Sequence, residues 1–217
     1  MASRLLRRSG YAFGLVAEAL NWRADMIYQV GVGGYHEECD VFMEEWPGVQ
    51  FIGCEPFPMR AEEYKGLLLR VAVSDYVGEA PFYLKRRHHE GSTLHKLPDD
   101  KTIKVITVPV STLDVLFPHP EGEHVLLWLD CEGSELAALR GGEEFVKRVE
   151  MINVEMTALP DGEHWVSPKL IHEWLLAHGF RRQWVHTFRV PAAQYDSIDV
   201  RNELFDPRRY CDPQDCV

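Results

Sequence analysis

The sequence predicts an α/β fold, with a mostly parallel central sheet, helices on both faces and an antiparallel C-terminal end. Three observations predict it. Short apolar runs alternate with helical stretches through the first two thirds of the chain. Those runs show little polar alternation, as expected of strands covered on both faces. Two final strand-like stretches follow one another with no helix between them, which suits an antiparallel pair.

The elements follow in order. The opening MASRLLRRSGYAFGLVAEALNW is basic like a secretory leader, but Glu18 cuts its apolar stretch and no convincing cleavage site follows. A helical extension over residues 1–22, covering the first strand, is expected instead. The first strand is Met26 to Val30, ending in Gly31-Val32-Gly33-Gly34. A helix from His36 to Trp46 stops at Pro47-Gly48. Val49 to Cys54 is the second strand and ends at Glu55-Pro56; a short helix at 61–65 leads to a third, Leu67 to Val73, ending at Ser74-Asp75. Gly78 to Leu84 reads as an excursion strand, then a polar loop to Thr93, then a strand from Ile103 to Val110. His124 to Leu129 is strongly apolar and breaks at Asp130-Cys131-Glu132-Gly133-Ser134-Glu135. A helix to Arg140 and a second helical piece to Arg148 precede the fifth core strand, Met151 to Glu155. Ser167 as cap and Pro168 in the first turn open a helix that Gly179 closes. Its Leu170, Ile171, Trp174, Leu175 and His178 share one face. Phe180 to Arg189 and Ser197 to Phe205 are the closing pair. Without repeat, low-complexity tract or linker, residues 1–217 read as one domain, with 206–217 a tail.

Composition narrows the function. The chain's 217 residues, 46% hydrophobic and 11% aromatic, can bury a good-sized core. A net charge of -11 argues against a general binder of nucleic-acid phosphates. No run of about eighteen apolar residues predicts a membrane span. Five cysteines, odd in number and mostly inside apolar runs, suit a reduced cytoplasmic protein. Cys211 and Cys216 in the tail match no strong zinc pattern, so no metal is expected.

Candidate chemistry gathers at the carboxyl ends of the strands, where open α/β sheets place their ligands. Gly31 and Gly33 let the backbone approach a ligand closely. A dinucleotide fingerprint would want a third glycine at position 36, which is His36. Glu55 can accept both hydroxyls of an adenosine ribose, Ser74 and Asp75 are placed for an adenine edge, and Asp130 and Glu132 end the next strand. The candidate general bases here are Asp130, Glu132, or a loop histidine among His88, His89 and His95. The strand-end acids are preferred because the sheet sets their place. Lys85-Arg86-Arg87 reads as a solvated turn or as a contact for an anionic substrate. His164 and Trp165 are candidates for a lid, and Glu135 reads as a first-turn helix acid.

VGVGG, GCEPFP, RVAVSDYVGEAPFYL, STLDVLF, LLWLDCEGSELAALRGG and INVEM, in that order, resemble the FkbM-type methyltransferases over roughly Tyr28 to Glu155. The resemblance implies a Rossmann-like class I methyltransferase fold with S-adenosylmethionine as cofactor. It also implies O-methylation of a hydroxyl on a small-molecule or sugar-like acceptor. By position, Gln29, Gly31, Val32 and Gly33 would flank the methionine part, Glu55 with Pro56 the ribose, and Ser74 and Asp75 the adenine. Asp130 and Glu132 would line the junction of cofactor and acceptor as catalytic residues, Asp130 touching the cofactor too. Arg87, His88, Ser92, His95 and Glu155 are expected to face the acceptor. The family usually carries an acid where Gln29 stands, and a loop one residue longer. Gln29 can bond the methionine amine but not neutralise it. Two other classes share these features. A nicotinamide-dependent oxidoreductase would also use Glu55, though His36 counts against it. A non-catalytic nucleoside-binding or partner-binding member would tolerate Gln29 and the short loop.

Overall fold

A computed structural model describes residues 13–33, 37–58, 61–85, 91–97, 101–157, 166–187 and 194–207. Its frame is set by two strands in which every residue is buried, β1 (Met26–Val30) and β7 (Val125–Leu129), paired in parallel. Such strands need cover on both faces. β2 (Gln50–Cys54) and β3 (Leu67–Leu69) extend the sheet on one side. β8 (Val149–Thr157), β10 (Gln194–Arg201) and β9 (Phe180–Thr187) extend it on the other, giving the order β3-β2-β1-β7-β8-β10-β9. β10 is antiparallel to both β8 and β9, the antiparallel end that the sequence predicts.

Alternation along each strand sorts the core into two layers. Ile27, Phe51 and Trp128 pack with Val16 and Ala17 of α1 (Phe13–Leu20) and with Phe42 of α2 (Glu37–Glu45). Tyr28, Leu127 and Ile152 pack on the other face with Leu136 of α4 (Glu135–Arg140) and Ile171 of α5 (Pro168–Ala177). The 3-10 turn Phe145–Arg148 adds Phe145 and Val146 to that layer. Because the chain leaves β1 toward β3 and returns to β7 on its other side, strand order reverses at β1. The carboxyl ends of β1 and β7 therefore open a crevice.

Three expectations are corrected. The strand Leu67 to Val73 is two strands: the Glu55 N–H makes the last rung with the Leu69 carbonyl at 3.0 Å, and the Val71 N–H turns back on that same carbonyl at 3.1 Å. β4 (Ala72–Val73) joins a separate three-stranded sheet, β4-β6-β5, with β5 (Gly78–Lys85) and β6 (Ile103–Ser111). Between β6 and β7, α3 (Leu113–Leu116) is capped by the Thr112 side chain, which accepts from the Val115 N–H. The last strand begins at Gln194 rather than Ser197 and ends at Arg201, where a turn follows. Ser167 stands at the cap of α5, but its hydroxyl makes no cap bond; Pro168 and Gly179, at φ 85°, bound the helix as expected.

Candidate active site

The loop after β1 is laced into its neighbours. Gly31 donates its N–H to the Cys54 carbonyl at 2.9 Å, and Asp130 donates to the Val30 carbonyl at 2.9 Å. Gly31 has φ 84°, and a β-carbon there would lie 2.6 Å from the Asp130 carbonyl carbon and on top of its oxygen. Only glycine fits between these strand ends. Gly33, at φ 61°, donates to Glu55 Oε2 at 3.3 Å, and Phe57 donates to Oε1 at 2.9 Å. Glu55 is 8% exposed. Burial raises its pKa, and the N–H groups of Phe57, Gly33 and Val32 oppose that rise. Gln29 is buried beside it, its carboxamide oxygen accepting from the Tyr64 hydroxyl at 3.3 Å.

The turn after β7 has an unusual backbone. Glu132 at φ 53° and Gly133 at φ 99° are successive left-handed residues. For a non-glycine this costs about 1 kcal/mol or more and persists only where the surroundings hold it. Glu135, 3% exposed, folds its carboxylate back onto the turn. It accepts the Cys131 N–H at 3.1 Å and the Gly133 N–H at 3.0 and 3.1 Å, so it braces the turn beyond serving as a first-turn acid. From outside, the Thr93 hydroxyl donates to the Glu132 carbonyl at 2.7 Å, and His95 Nε2 lies 3.0 Å from the Gly133 carbonyl.

This turn gathers acids. Carboxylate oxygens of Asp130, Glu132 and Glu155 lie within 4.8 Å of one another. Burial holds the Asp130 carboxyl well above its ordinary range, helped by a hydrogen bond to Glu155 and the charges of Glu155, Glu132 and Asp196. A hydrogen bond between two carboxyls needs a proton on one of them. Glu132 is pushed up to about 7, by burial and then by Glu155 and Glu135, against Lys85 and the Gly91 N–H. The Cys131 thiol is driven far up by burial, then by Glu135, Asp130 and Glu132, which makes it a poor nucleophile.

Between loop and turn lies a cleft of about 1000 Å³, partly open to solvent. Gln29, Gly31, Val32, Gly33, Glu55, Pro56, Ser92, Asp130 and Glu132 all line it, with Gly31 and Asp130 in backbone contact. Each of these was a candidate from sequence. Val71 to Val73 and Phe57 form one apolar stretch of wall, Phe82 and Leu84 of β5 another.

Other candidates stand elsewhere. Ser74 and Asp75 do not line the cleft. Ser74 is buried with its N–H on the Ser111 carbonyl, and Asp75 is exposed, because the break at Leu69 presents Val71 to Val73 to the cleft instead. His95 does not line it either, being turned to the backbone of Gly133. Glu155 joins the acid cluster from β8 without lining the cleft. Arg87 and His88 lie outside the described residues, as do His36, Arg86, His89, His164, Trp165, Cys211 and Cys216. Sequence reasoning missed Thr93 and the apolar wall. The buried alternation of Ala80, Phe82 and Leu84 was the signal for that wall.

A family model described as the methyltransferase FkbM domain matches residues 25–182. A comparison with curated proteins finds no match. Among solved structures, the chain is similar to the 1,6-didemethyltoxoflavin-N1-methyltransferase of Burkholderia thailandensis with bound 1,6-didemethyltoxoflavin and S-adenosylhomocysteine. Identity is 10%, covering 88% of this chain and 76% of that one, with a TM-score of 0.47. It is similar to the magnesium protoporphyrin IX methyltransferase of Synechocystis PCC 6803 with bound SAM, at 9% identity, 86% and 78% coverage and TM-score 0.44. A putative tRNA (m1A22) methyltransferase of Streptococcus pneumoniae in complex with S-adenosyl-L-methionine is similar at 15% identity, 93% and 73% coverage and TM-score 0.44.

Proposed function

The chain belongs to the FkbM methyltransferase domain family, and on that premise we propose that its cleft binds S-adenosylmethionine and passes the methyl group to a hydroxyl of a small-molecule acceptor. One cleft carries this reading, because the buried Glu55 carboxylate, the glycine loop and two members of the acid cluster, Asp130 and Glu132, all line it. Gly33, where an added β-carbon would meet nothing within 4 Å, presents bare backbone to the cleft and suits a ligand pressed against it. The cofactor supplies a methyl group already activated on a sulfonium.

The chain's own residues then bind, orient and move a proton. Glu55 accepts the ribose hydroxyls, and Gln29, steadied by Tyr64, meets the methionine end. The wall of Val71 to Val73 and Phe57 takes the adenine, with Ser74 and Asp75 behind or beyond it. Glu132 removes the acceptor's proton, with Asp130 and Glu155 fixing its charge state. Three converging carboxyls favour an uncharged hydroxyl-bearing acceptor over the anionic one that Lys85-Arg86-Arg87 suggests from sequence. No helix among the described residues is long and apolar enough to cross a membrane. A cytoplasmic location for the protein is part of the proposal.

Calorimetry with S-adenosylmethionine, S-adenosylhomocysteine and NADH tests it. The first two are expected to bind and NADH is not. Glu55→Ala should weaken S-adenosylhomocysteine by about a hundredfold, the value of charge-assisted hydrogen bonds worth about 2–3 kcal/mol. Binding of NADH alone, or unchanged affinity in that variant, refutes the assignment. Gln29 keeps a second reading alive, a nucleoside-binding member without turnover. Binding without methyl transfer to any of a broad panel of hydroxylated acceptors would favour it.

A further inference from the structure

We propose that Thr93 and His95 are positioning residues, holding Glu132 in its left-handed turn and so aiming its carboxylate into the cleft. The inference rests on the reading of Glu132 as the group that meets the acceptor's proton. Residues 92–95 alternate in purpose. Ser92 and Leu94 line the cleft, while Thr93 and His95 point to the turn after β7. The segment is anchored to β5: Tyr83 and Thr93 exchange backbone bonds of 2.8 and 3.3 Å, and the Ser92 hydroxyl accepts the Lys85 N–H at 3.1 Å.

Thr93 is 2% exposed and its hydroxyl is used twice. It donates to the Glu132 carbonyl at 2.7 Å and accepts the His95 N–H at 3.1 Å. His95 Nε2, as the protonated nitrogen, then donates to the Gly133 carbonyl at 3.0 Å. The carbonyls of two successive left-handed residues are thus held by one short segment, while Glu135 holds N–H groups of the same turn. A strained φ at a non-glycine persists only under such constraint. Freed of it, Glu132 relaxes toward negative φ and its side chain swings from its neighbours. Those neighbours are Asp130 at the end of β7, Glu155 on β8, Glu135 on α4 and Lys85 on β5, with Asp196 of β10 acting on Asp130.

The test is a carbon-13 NMR titration of the Glu132 carboxyl in the full chain, its resonance assigned with Glu132→Gln. Wild type and Thr93→Ser, which keeps the hydroxyl, are expected to titrate near 7. Thr93→Val, equal in shape but without the donor, should fall by about one pH unit or more, a tenfold change in proton affinity. An unchanged midpoint in Thr93→Val, or an equal fall in Thr93→Ser, overturns the proposal. Thermal unfolding of each variant checks folding. If Thr93→Val does not fold, His95→Ala decides: a smaller fall supports the proposal and an unchanged midpoint overturns it. S-adenosylhomocysteine titration of the wild type runs alongside. Its failure would sink the cofactor reading, whereas the NMR midpoint judges Thr93 and His95 independently.

Discussion

Replacing Gly31 by alanine should damage stability and cofactor binding together, out of proportion to the one carbon added. Two costs combine. The residue sits at φ 84°, where an L side chain costs about 1–2 kcal/mol. The new β-carbon would also fall on the Asp130 carbonyl oxygen and 2.6 Å from its carbon. Strand ends must part to admit it, which stretches the Gly31–Cys54 and Asp130–Val30 bonds, both 2.9 Å. Losing even one of two buried backbone bonds costs about 1–3 kcal/mol. A total near 4 kcal/mol lowers Tm by about 8–16 °C for a chain of this size. Gly33→Ala is the internal control: its φ is also positive, but nothing lies within 4 Å of the added carbon, so it should lose only about 1 kcal/mol. Scanning calorimetry gives stability, and S-adenosylhomocysteine titration gives affinity. If Gly31→Ala melts within 2–3 °C of Gly33→Ala, an interval of about 1 kcal/mol, the steric reasoning is wrong.

The acid cluster makes stability depend on pH. The folded pKa of Glu132, about 7, exceeds its ordinary 4.5, so the folded state holds a proton that the unfolded state releases between those values. That contribution is full below about 4.5 and lost as pH rises through 7, up to about 3 kcal/mol in all. Glu132→Gln should therefore be more stable than wild type at pH 8 by urea unfolding; parallel pH profiles would contradict this. Methyl transfer, where an acceptor is found, should rise as Glu132 deprotonates through about 7 and lose that step in Glu132→Gln. Glu135→Ala strands the N–H groups of Cys131 and Gly133 and should cost about 2–3 kcal/mol in chemical denaturation. Glu135→Gln, which keeps one carbonyl acceptor, should recover part of that loss. Arg201→Met should cost about 3 kcal/mol. Its guanidinium serves the carbonyls of Val149, His178 and Val146 and lies 4.1 Å from the Phe180 ring centroid. It sits at the opposite end of β8 from the cleft, so S-adenosylhomocysteine affinity should not move.

Much of the fold was legible because buried parallel strands write themselves as apolar runs. β1 has its expected bounds and β7 begins one residue late, since Met26 to Val30 and Val125 to Leu129 are covered on both faces. LLLRVAV also reads as one run, yet it breaks. The chain bends where the Val71 N–H meets the Leu69 carbonyl, and β6 then offers Ala72 and Val73 a partner that no local pattern announces. Asp196 reads as polar loop but is buried opposite Glu155 in β10, which hid that strand's start. In the site, Gly31, Glu55 and Asp130 were legible as strand ends. The meeting of Asp130 with Glu155 follows from the β7–β8 register, Leu129 opposite Val154, which no local pattern encodes. His95 looked like a candidate base because a sequence cannot show that its ring nitrogen faces a carbonyl.

The small sheet has a consequence for engineering. β4, β5 and β6 bury their own cluster, Ala72, Ala80, Phe82, Leu84, Val108 and Val110, apart from the two layers of the main sheet. Phe82 and Leu84 face the cleft from that independent core, while the glycine loop and Glu55 belong to the seven-stranded sheet. This part of the cleft wall is in that sense a cassette. Recombining its hairpin between relatives is expected to change the surface a ligand meets there, provided Ser92 to His95 travel with it and still clasp the turn after β7.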